Sequence, residues 1–560
     1  MSQLKIALAQ INTTVGDLDG NLAKILCEYK KAQENGCDLV VFPEMAICGY
    51  PCGDLWQKKY FIEEIAEKLE LIIQVSNWYD CAILLGAPTY DIERKKQVLR
   101  NSAILIEKGE VKKIFYKKTL PNFSVFDEVR YFAPSGYISN VEFRGQTLAI
   151  LICEDLWDNK NLFLLKEQIL DLVIVINASP YAQNKHLRRL ELAQNFCKTL
   201  DKNLIYVNQI GAQDSLVFDG SSFVMKKDGE VLLQMRDFVE DFAVVEVAKD
   251  GGVSILPLTP ALSRKGRGSK NELGLTPSPL AGEGWGEGST LQAQNYNACV
   301  LGLHDYIHKN NFQKVMLGMS GGIDSALVAA IAVDALGAEN VVLYALPSRF
   351  NSQSSMDDAL LCAKNLGVKL EIISIETMFE AALQTLPQIS SLAKENLQSR
   401  LRGNILMAIS NTSGALLLTT GNKSELACGY ATIYGDMCGA FNPIKDLYKT
   451  EIYQLAQLKA DVIPANILTK APSAELRENQ KDSDSLPEYE ILDKILFTLI
   501  EEQKSVEEIS KNFDENLVKK IAKLFYSSEY KRQQAVMGPK ISNMAFDAER
   551  RYQITNKFTK

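Results

Sequence analysis

This sequence predicts an α/β protein of two domains in series, on three observations. Short apolar runs alternate with helical patterns along most of the chain, the rhythm of sheets covered by helices. Most of those runs end in a polar cluster, as strands do at the carboxyl edge of an open sheet. From about Leu256 to Ser289 the composition changes to Pro, Gly, Ser and charge, which separates the two halves. At 560 residues the chain is too long for one ordinary domain.

Composition narrows the class. Apolar residues make up 46% of the chain, enough for full cores, and 23% are charged, ordinary for a globular protein. The net charge of −8 argues against a nucleic-acid or acidic-membrane surface. No apolar run reaches the ~18 residues of a membrane span. Met1 to Lys5 leads straight into a strand-like run with no signal-peptide pattern. The 11 cysteines are scattered without a disulfide framework, which points to reduced thiols in a cytoplasm. Cys48/Cys52 and Cys428/Cys438 pair in spacing, but neither has the second pair or nearby histidine that zinc needs. Only three histidines occur: His186, His304 and His308. None lies in a motif-like turn, so nucleophilic chemistry here would need another base. His304 and His308, four apart on a predicted helix, suit either a metal or a solvated helix face.

In the first half, Lys5 to Gln10 reads as a strand, and Asn21 to Asn35 as a helix stopped by Gly36. Asp38 to Phe42 is an apolar strand ending at Pro43, with Glu44 just beyond. Cys81 to Leu85 is another, followed by Gly86-Ala87-Pro88. Asn101 to Glu107 and Val111 to Tyr116 form a hairpin through Lys108-Gly109, and the second strand runs into Lys117-Lys118. Leu148 to Ile152 ends at Cys153, and Leu172 to Ile176 ends at Asn177-Ala178-Ser179. Glu44, Lys117 and Cys153 thus each follow an apolar strand. A carboxylate can serve a thiol as base, and a neighbouring ammonium favours the thiolate and stabilises an oxyanion. Singly, each residue also fits a plain reading: a strand-end charge, one of two solvated lysines, a small buried hydrophobe.

Phe42-Pro43-Glu44, Tyr116-Lys117-x-x-Leu120-Pro121 and Ile152-Cys153-Glu154-Asp155 resemble the three catalytic blocks of the nitrilase (carbon–nitrogen hydrolase) superfamily. The resemblance implies an αββα sandwich with Glu44 as general base, Lys117 as electrophilic stabiliser and Cys153 as nucleophile. Lys118 is the rival lysine; the family pattern, with Lys three residues before Leu-Pro, selects Lys117. The continuation from Asn122 to Phe132 is similar to the glutamine-hydrolysing branch. There the position of Phe123 is commonly Tyr, and Ser179 and Lys185 match positions that hold the amino-acid end of glutamine.

Between the halves, Leu258-Thr259-Pro260 recurs as Leu275-Thr276-Pro277, as in a repeat-derived insert. Without a periodic apolar pattern, a disordered or loosely ordered linker is expected at 251–290, between domains 1–250 and 291–560.

The second half continues the βαβα alternation and predicts a doubly wound parallel sheet. After the apolar run Val315 to Leu317 comes Gly318-Met319-Ser320-Gly321-Gly322-Ile323-Asp324-Ser325, then a buried helix to Leu336. A strand, glycine turn and helix point unpaired N–H groups at an anion, and Asp324 can hold a cation on its oxygens. No lysine follows the glycines as in a Walker A loop. Leu416 to Leu418 enters Thr419-Thr420-Gly421-Asn422-Lys423-Ser424-Glu425, placing Glu425 as a second magnesium ligand beside Asp324. The helix opening at Glu395 carries Asn396 and Arg400, positioned for a dinucleotide or for surface ion pairs.

The glycine turn resembles the pyrophosphate loop of the ATP pyrophosphatases. The blocks around Thr420 to Glu425, Tyr434 to Asp436, Asn442 to Thr450 and Lys470 to Leu476 are similar to those of one branch, the NAD synthetases. That resemblance implies ATP contacts from Gly318, Met319, Ser320, Gly321, Gly322, Ile323, Asp324, Ser325, Thr420, Lys449 and Ser473. It implies magnesium (Mg2+) on Asp324 and Glu425, and deamido-NAD on Asn396, Arg400, Glu425 and Lys531. Ile433 and Ala440 stand where ammonia-only members carry polar substrate contacts. Together the resemblances imply glutamine hydrolysis at Cys153 and transfer of the ammonia to a carboxylate of deamido-NAD adenylated by ATP, in a homo-oligomer.

Overall fold

The computed structural model describes residues 3–257 and 290–557, apart from Arg94, Asn479, Lys481, Ser485, Asp547 and Ala548. The chain divides into two compact units, Met1–Ser269 and Lys270–Lys560. Most of the linker expected at 251–290 lies outside the described residues. Its start is a correction: Val253–Leu256 is a strand, paired antiparallel with Val244 to Val247 at the edge of a sheet. Backbone pairing with a neighbouring strand outweighs the local composition there.

The first unit begins with strands β1 (Gln3–Gln10), β2 (Leu39–Val41), β3 (Ala82–Glu93), β4 (Lys96–Glu107) and β5 (Glu110–Tyr116). It continues with β6 (Asn140–Phe143), β7 (Gln146–Ile152), β8 (Leu172–Asn177), β9 (Asn203–Asn208) and β10 (Ile210–Gln213). The last are β11 (Leu216–Asp219), β12 (Phe223–Met225), β13 (Val231–Gln234), β14 (Asp241–Ala248) and β15 (Val253–Leu256). One sheet runs β15-β14-β1-β2-β3-β4-β5, the other β13-β12-β9-β8-β7-β6. Their inner faces share one core: Ile6, Leu8, Val41 and Leu84 pack with Ile150, Ile152, Ile174 and Ile205. The outer face of the first sheet packs on helices Leu18–Glu34 and Lys59–Ser76 through Ile25, Tyr29 and Ile65. That of the second packs on Asn159–Lys166 and Lys185–Leu200 through Leu162, Leu165 and Phe196. This is an αββα sandwich. Strands buried on both faces explain the unbroken apolar runs, since each buried Ile or Leu side chain contributes roughly 1.5–3 kcal/mol.

The hairpin turn at Lys108-Gly109 has both residues at positive φ, 48° and 75°, as a tight two-residue turn requires. Strand β3 does not end at Leu85 but runs through Gly86-Ala87-Pro88 to Glu93, paired with β4 throughout. Pro88 is tolerated because β2 stops at Val41, leaving the far end of β3 one neighbour.

The second unit is built on β16 (Val315–Gly318), β17 (Val341–Ala345), β18 (Lys369–Ile372) and β19 (Leu416–Leu418). They form a parallel sheet in the order β18-β17-β16-β19. The chain steps outward from β16 on one side and returns to its other side with β19, so the switch point lies between β16 and β19. Helix Ile323–Leu336 is buried along most of its length, and a separate helical core joins Lys423–Cys428, Tyr489–Ile500 and Glu515–Ser527. His304 is buried, stacked on His308 at 4.0 Å and bonded to Asp305, so the pair is not the solvated helix face considered above. All 11 cysteines are free. Among the described residues no helix is long and apolar enough to cross a membrane.

Candidate active sites

In the first unit, residues following β2, β5, β7 and β8 meet in one buried cluster. Glu44 is held where Gly86 of β3 passes beneath it: a Cβ on Gly86 would lie 2.6 Å from Glu44 Cα and 2.4 Å from the Met45 nitrogen. Lys117 Nζ donates to Glu44 Oε1 at 2.8 Å and to Glu128 Oε1 at 2.9 Å, all three side chains being nearly inaccessible. Asn101 Nδ2 donates to Glu44 Oε1 at 2.7 Å and Tyr50 Oη to Glu128 Oε1 at 2.8 Å. The main-chain N–H of Ala178, just past β8, donates to Glu44 Oε2 at 2.9 Å.

Cys153 is the first residue past β7 and adopts φ 48°, a left-handed conformation rare for a non-glycine residue. Such a turn lifts a nucleophile off the end of its strand. Asp155 fixes it from below, accepting from Ile152 N at 3.1 Å, Lys118 N at 3.0 Å and Thr119 N at 2.7 Å. One carboxylate thereby ties the turn after β7 to the turn after β5. Lys118, the rival lysine, is half-buried and engaged there through its main chain.

Burial pushes the Cys153 thiol well above its ordinary range, and the Glu44 carboxylate adds to this while Lys117 opposes it. The resting thiol is therefore neutral and needs a base. Burial works against the Lys117 ammonium, but Glu128 and Glu44 outweigh it and hold Lys117 charged. Burial also raises Glu128 above the usual carboxylate range, and pushes Glu154, beside the thiol, up to about 7 against the pull of Lys117 and Lys185.

Of the residues expected to hold glutamine, Ser179 is buried next to Ala178, its hydroxyl accepting from Arg189 Nε at 3.2 Å. Lys185 opens the helix after this turn, with Nζ 5.7 Å from the Phe126 ring centre. Phe123 is exposed and meets Phe126 edge-on at 5.7 Å. Sequence reasoning missed Asn101, Tyr50, Glu128 and Arg189 as members of this cluster. Glu128 lay inside a quoted block, and Asn101 is a polar residue opening an apolar strand; neither signal by itself says what the side chain meets.

In the second unit, the turn from Gly318 to Ser325 opens at the switch point. Gly321 has φ +81°, and a Cβ there would stand 2.1 Å from the Ser355 carbonyl oxygen, so only glycine fits. Ser320 Oγ lies 3.1 Å from Ser325 Oγ and accepts from Gly322 N at 3.2 Å, which braces the turn. Met319 and Ile323 are buried, so any nucleotide contact they make is through the main chain. Asp324 Oδ1 accepts from Asn422 Nδ2 at 3.0 Å, joining the turn after β16 to the turn after β19. Asn422 also caps helix Lys423–Cys428 in a reciprocal box with Glu425.

Lys449 Nζ is bonded to Asp324 and stands 3.6 Å from Glu425 Oε1. Burial, reinforced by the Asp324 carboxylate, pushes Glu425 up to about 8. Two convergent carboxylates are a fitting donor set for magnesium, which keeps waters and substrate phosphates as its other ligands. No cluster of three or more Asp, Glu, His or Cys suited to a metal occurs among the described residues. Thr420 is half-buried beside Thr419 in the turn after β19. Ser473 donates to the Gln480 carbonyl at 2.6 Å. Two residues on, Glu475 accepts from Ser355 Oγ at 2.7 Å, so the segment with Ser473 folds against the neighbour of Gly321.

The residues expected to bind deamido-NAD gather around a second segment. Asn396 Oδ1 accepts from Thr432 Oγ1 at 2.9 Å, and Arg400 Nε donates to the Ile433 carbonyl at 3.2 Å. Lys531 Nζ donates to the Gly429 and Ala431 carbonyls at 2.7 and 2.8 Å. Ala440 binds through its main chain, its N–H to the Leu417 carbonyl at 2.8 Å.

The arrangement defines a class: an αββα sandwich with a buried thiol, lysine and two carboxylates at its strand ends, and a unit with a glycine turn at the switch point of a parallel sheet. Residues 5–252 match the carbon–nitrogen hydrolase family and residues 295–535 the NAD synthase family. Proteins described as glutamine-dependent NAD(+) synthetase are 42% identical in Synechocystis and 38% in Acinetobacter baylyi, over 99% of both chains in each case. A solved synthetase of that description from Acinetobacter baumannii, in complex with adenosine diphosphate, is 36% identical over 99% of both chains, with a TM-score of 0.76. One from Cytophaga hutchinsonii, 20% identical, shares the fold with a TM-score of 0.80. The chain belongs to the glutamine-dependent NAD(+) synthetase family, and is thereby a ligase.

Proposed function

We propose that this chain amidates the nicotinate carboxylate of deamido-NAD to give NAD, drawing nitrogen from glutamine and cleaving ATP to AMP and pyrophosphate. The observation that carries this reading is the buried Glu44–Lys117 contact on the strand-end cluster that also holds Cys153. Family membership supplies the acceptor.

At the first site Glu44 takes the Cys153 proton as the sulfur attacks the glutamine side-chain amide. Lys117 and neighbouring main-chain N–H groups stabilise the oxyanion. Glu44 gives that proton to the departing nitrogen, ammonia leaves, and water, deprotonated by Glu44, hydrolyses the thioester to glutamate as sulfur takes the proton back. Ser179, Lys185 and Glu154 hold the amino-acid end of glutamine, the cation toward its carboxylate and the carboxylate toward its ammonium. Phe123 lines the mouth through its ring.

At the second site the turn Gly318 to Ser325, with Thr420, Lys449 and Ser473, binds ATP. Asp324 and Glu425 would hold magnesium, which neutralises triphosphate charge when bound. Asn396, Arg400, Glu425 and Lys531 orient deamido-NAD. Its carboxylate oxygen attacks the α-phosphorus, pyrophosphate leaves, and ammonia then displaces AMP from the acyl adenylate. Activation is needed because a free carboxylate has no adequate leaving group for an amine.

Free ammonia is mostly protonated near neutral pH and then cannot attack, so the ammonia passes to the second site sheltered from solvent, within a cytoplasmic homo-oligomer. The test is a product assay with ATP, magnesium and deamido-NAD, with nitrogen as labelled glutamine or ammonium. NAD made from either source is expected, with amide label from glutamine undiluted by low ammonium. Absence of NAD overturns the activity; free mixing of label overturns only the sheltered transfer.

A further inference from the structure

We propose that Asn101 is a positioning residue of the thiol site, fixing Glu44 so that its Oε2 atom is the one left to accept the Cys153 proton. The inference rests on the glutaminase reading above. Asn101 is buried in β4, beside the point where the chain leaves β5. Its main-chain carbonyl accepts from Lys117 N at 2.9 Å, and its Nδ2 donates to Glu44 Oε1 at 2.7 Å and to Glu128 Oε2 at 3.4 Å. One residue thus holds the backbone of the lysine and both carboxylates that flank its ammonium.

The amide can point only one way, because the reverse would set its carbonyl against two carboxylates. Its Oδ1 is buried without a hydrogen-bond partner among the described residues. Leaving a buried carbonyl unsatisfied is unfavourable, so stability alone gives no reason for an amide here. What the amide secures is the distribution of Glu44 lone pairs. Oε1 receives Lys117 and Asn101 and is filled, whereas among the described residues Oε2 receives only Ala178 N. In the step, the Cys153 S–H bond breaks, the proton goes to Oε2, and the electron pair left on sulfur forms the bond to the amide carbon as the carbonyl π pair moves to oxygen. The ionisable groups around Asn101 and Glu44 are Lys117, Glu128, Tyr50, Cys153 and Glu154.

The experiment uses the full chain and measures glutamate release as a function of glutamine concentration, with ammonia-supported NAD synthesis as the control for folding. Asn101→Asp keeps the shape but replaces the amide donor with a carboxyl oxygen, so Glu44 Oε1 loses that hydrogen bond. The kcat is expected to fall about ten-fold or more, with glutamine KM within about two-fold. A kcat within about two-fold of the parent overturns the proposal. If Asn101→Asp also loses ammonia-supported synthesis, Asn101→Ser carries the test, its hydroxyl being too short to reach both carboxylates. Its kcat is expected to fall about ten-fold at unchanged KM, and a kcat within about two-fold of the parent overturns the proposal. Cys153→Ala separates the two levels: continued glutamate release there refutes the glutaminase reading itself, whereas its loss beside parent-like Asn101 variants refutes only the positioning role.

Discussion

At the scale of residues, the thiol site turns on one ammonium placed between two carboxylates. An exposed pair such as Lys112–Glu110 is screened by water and adds little, whereas removing one partner from a buried pair costs about 3–5 kcal/mol. Lys117→Met leaves Glu44 and Glu128 facing each other without their cation. It is expected to destabilise the first unit by about that 3–5 kcal/mol in urea titration and to lower glutaminase kcat by about 10²-fold or more. In the glutamine site proposed above, Glu154 supplies the pH dependence. Because burial lifts its carboxyl to about 7, the ionised form that attracts the glutamine ammonium is present above that pH and lost below it. Glutamine KM should therefore rise as pH falls below about 7, and Glu154→Gln should give a high KM that no longer varies across that range, measured by steady-state kinetics.

At the scale of elements, both sites are made by turns just past buried strands, and two glycines set how closely those turns approach other backbone. Gly86 lets β3 pass under Glu44, and Gly321 lets the turn after β16 lie on the Ser355 carbonyl. Gly321→Ala combines an unfavourable φ with a Cβ 2.1 Å from that oxygen. The turn must shift, at a cost of roughly 1–3 kcal/mol. The expected outcome is loss of NAD synthesis from glutamine and ammonium alike, with ATP affinity reduced at least about ten-fold by calorimetry. Glutamate release from glutamine tests whether the damage stays in the second unit, where the expected change is small.

For the whole molecule, the proposed reaction divides into separable halves, one in each unit. Cys153→Ala should abolish glutamine-supported synthesis while ammonia-supported synthesis continues, because the adenylating half does not use the thiol. Lys449→Ala should abolish both, since it removes the cation bonded to Asp324 and leaves Asp324 and Glu425 opposed. Parallel assays with the two nitrogen sources distinguish these outcomes. Parent-like glutamine-supported synthesis in Cys153→Ala would exclude the thiol as the route for nitrogen.

By itself the sequence determined the fold class, the hairpin at Lys108-Gly109, the strands bearing Glu44, Lys117 and Cys153, and the glycine turn. Each is encoded locally, by unbroken apolar runs, by turn residues or by a short block with its own resemblance. Only the tertiary structure decided that Val253–Leu256 pairs at a sheet edge, that β3 runs on past Pro88, and that His304 is buried against His308. It also brought Asn101, Tyr50 and Glu128 around Lys117, and Arg189 behind Ser179. Some of those partners are far along the chain, Asn101 lying 57 residues from Glu44 and Tyr50 lying 78 from Glu128. Others are near, but a strand takes its neighbour from sheet order and a buried polar side chain takes its meaning from the group it is packed against, and local composition reports neither.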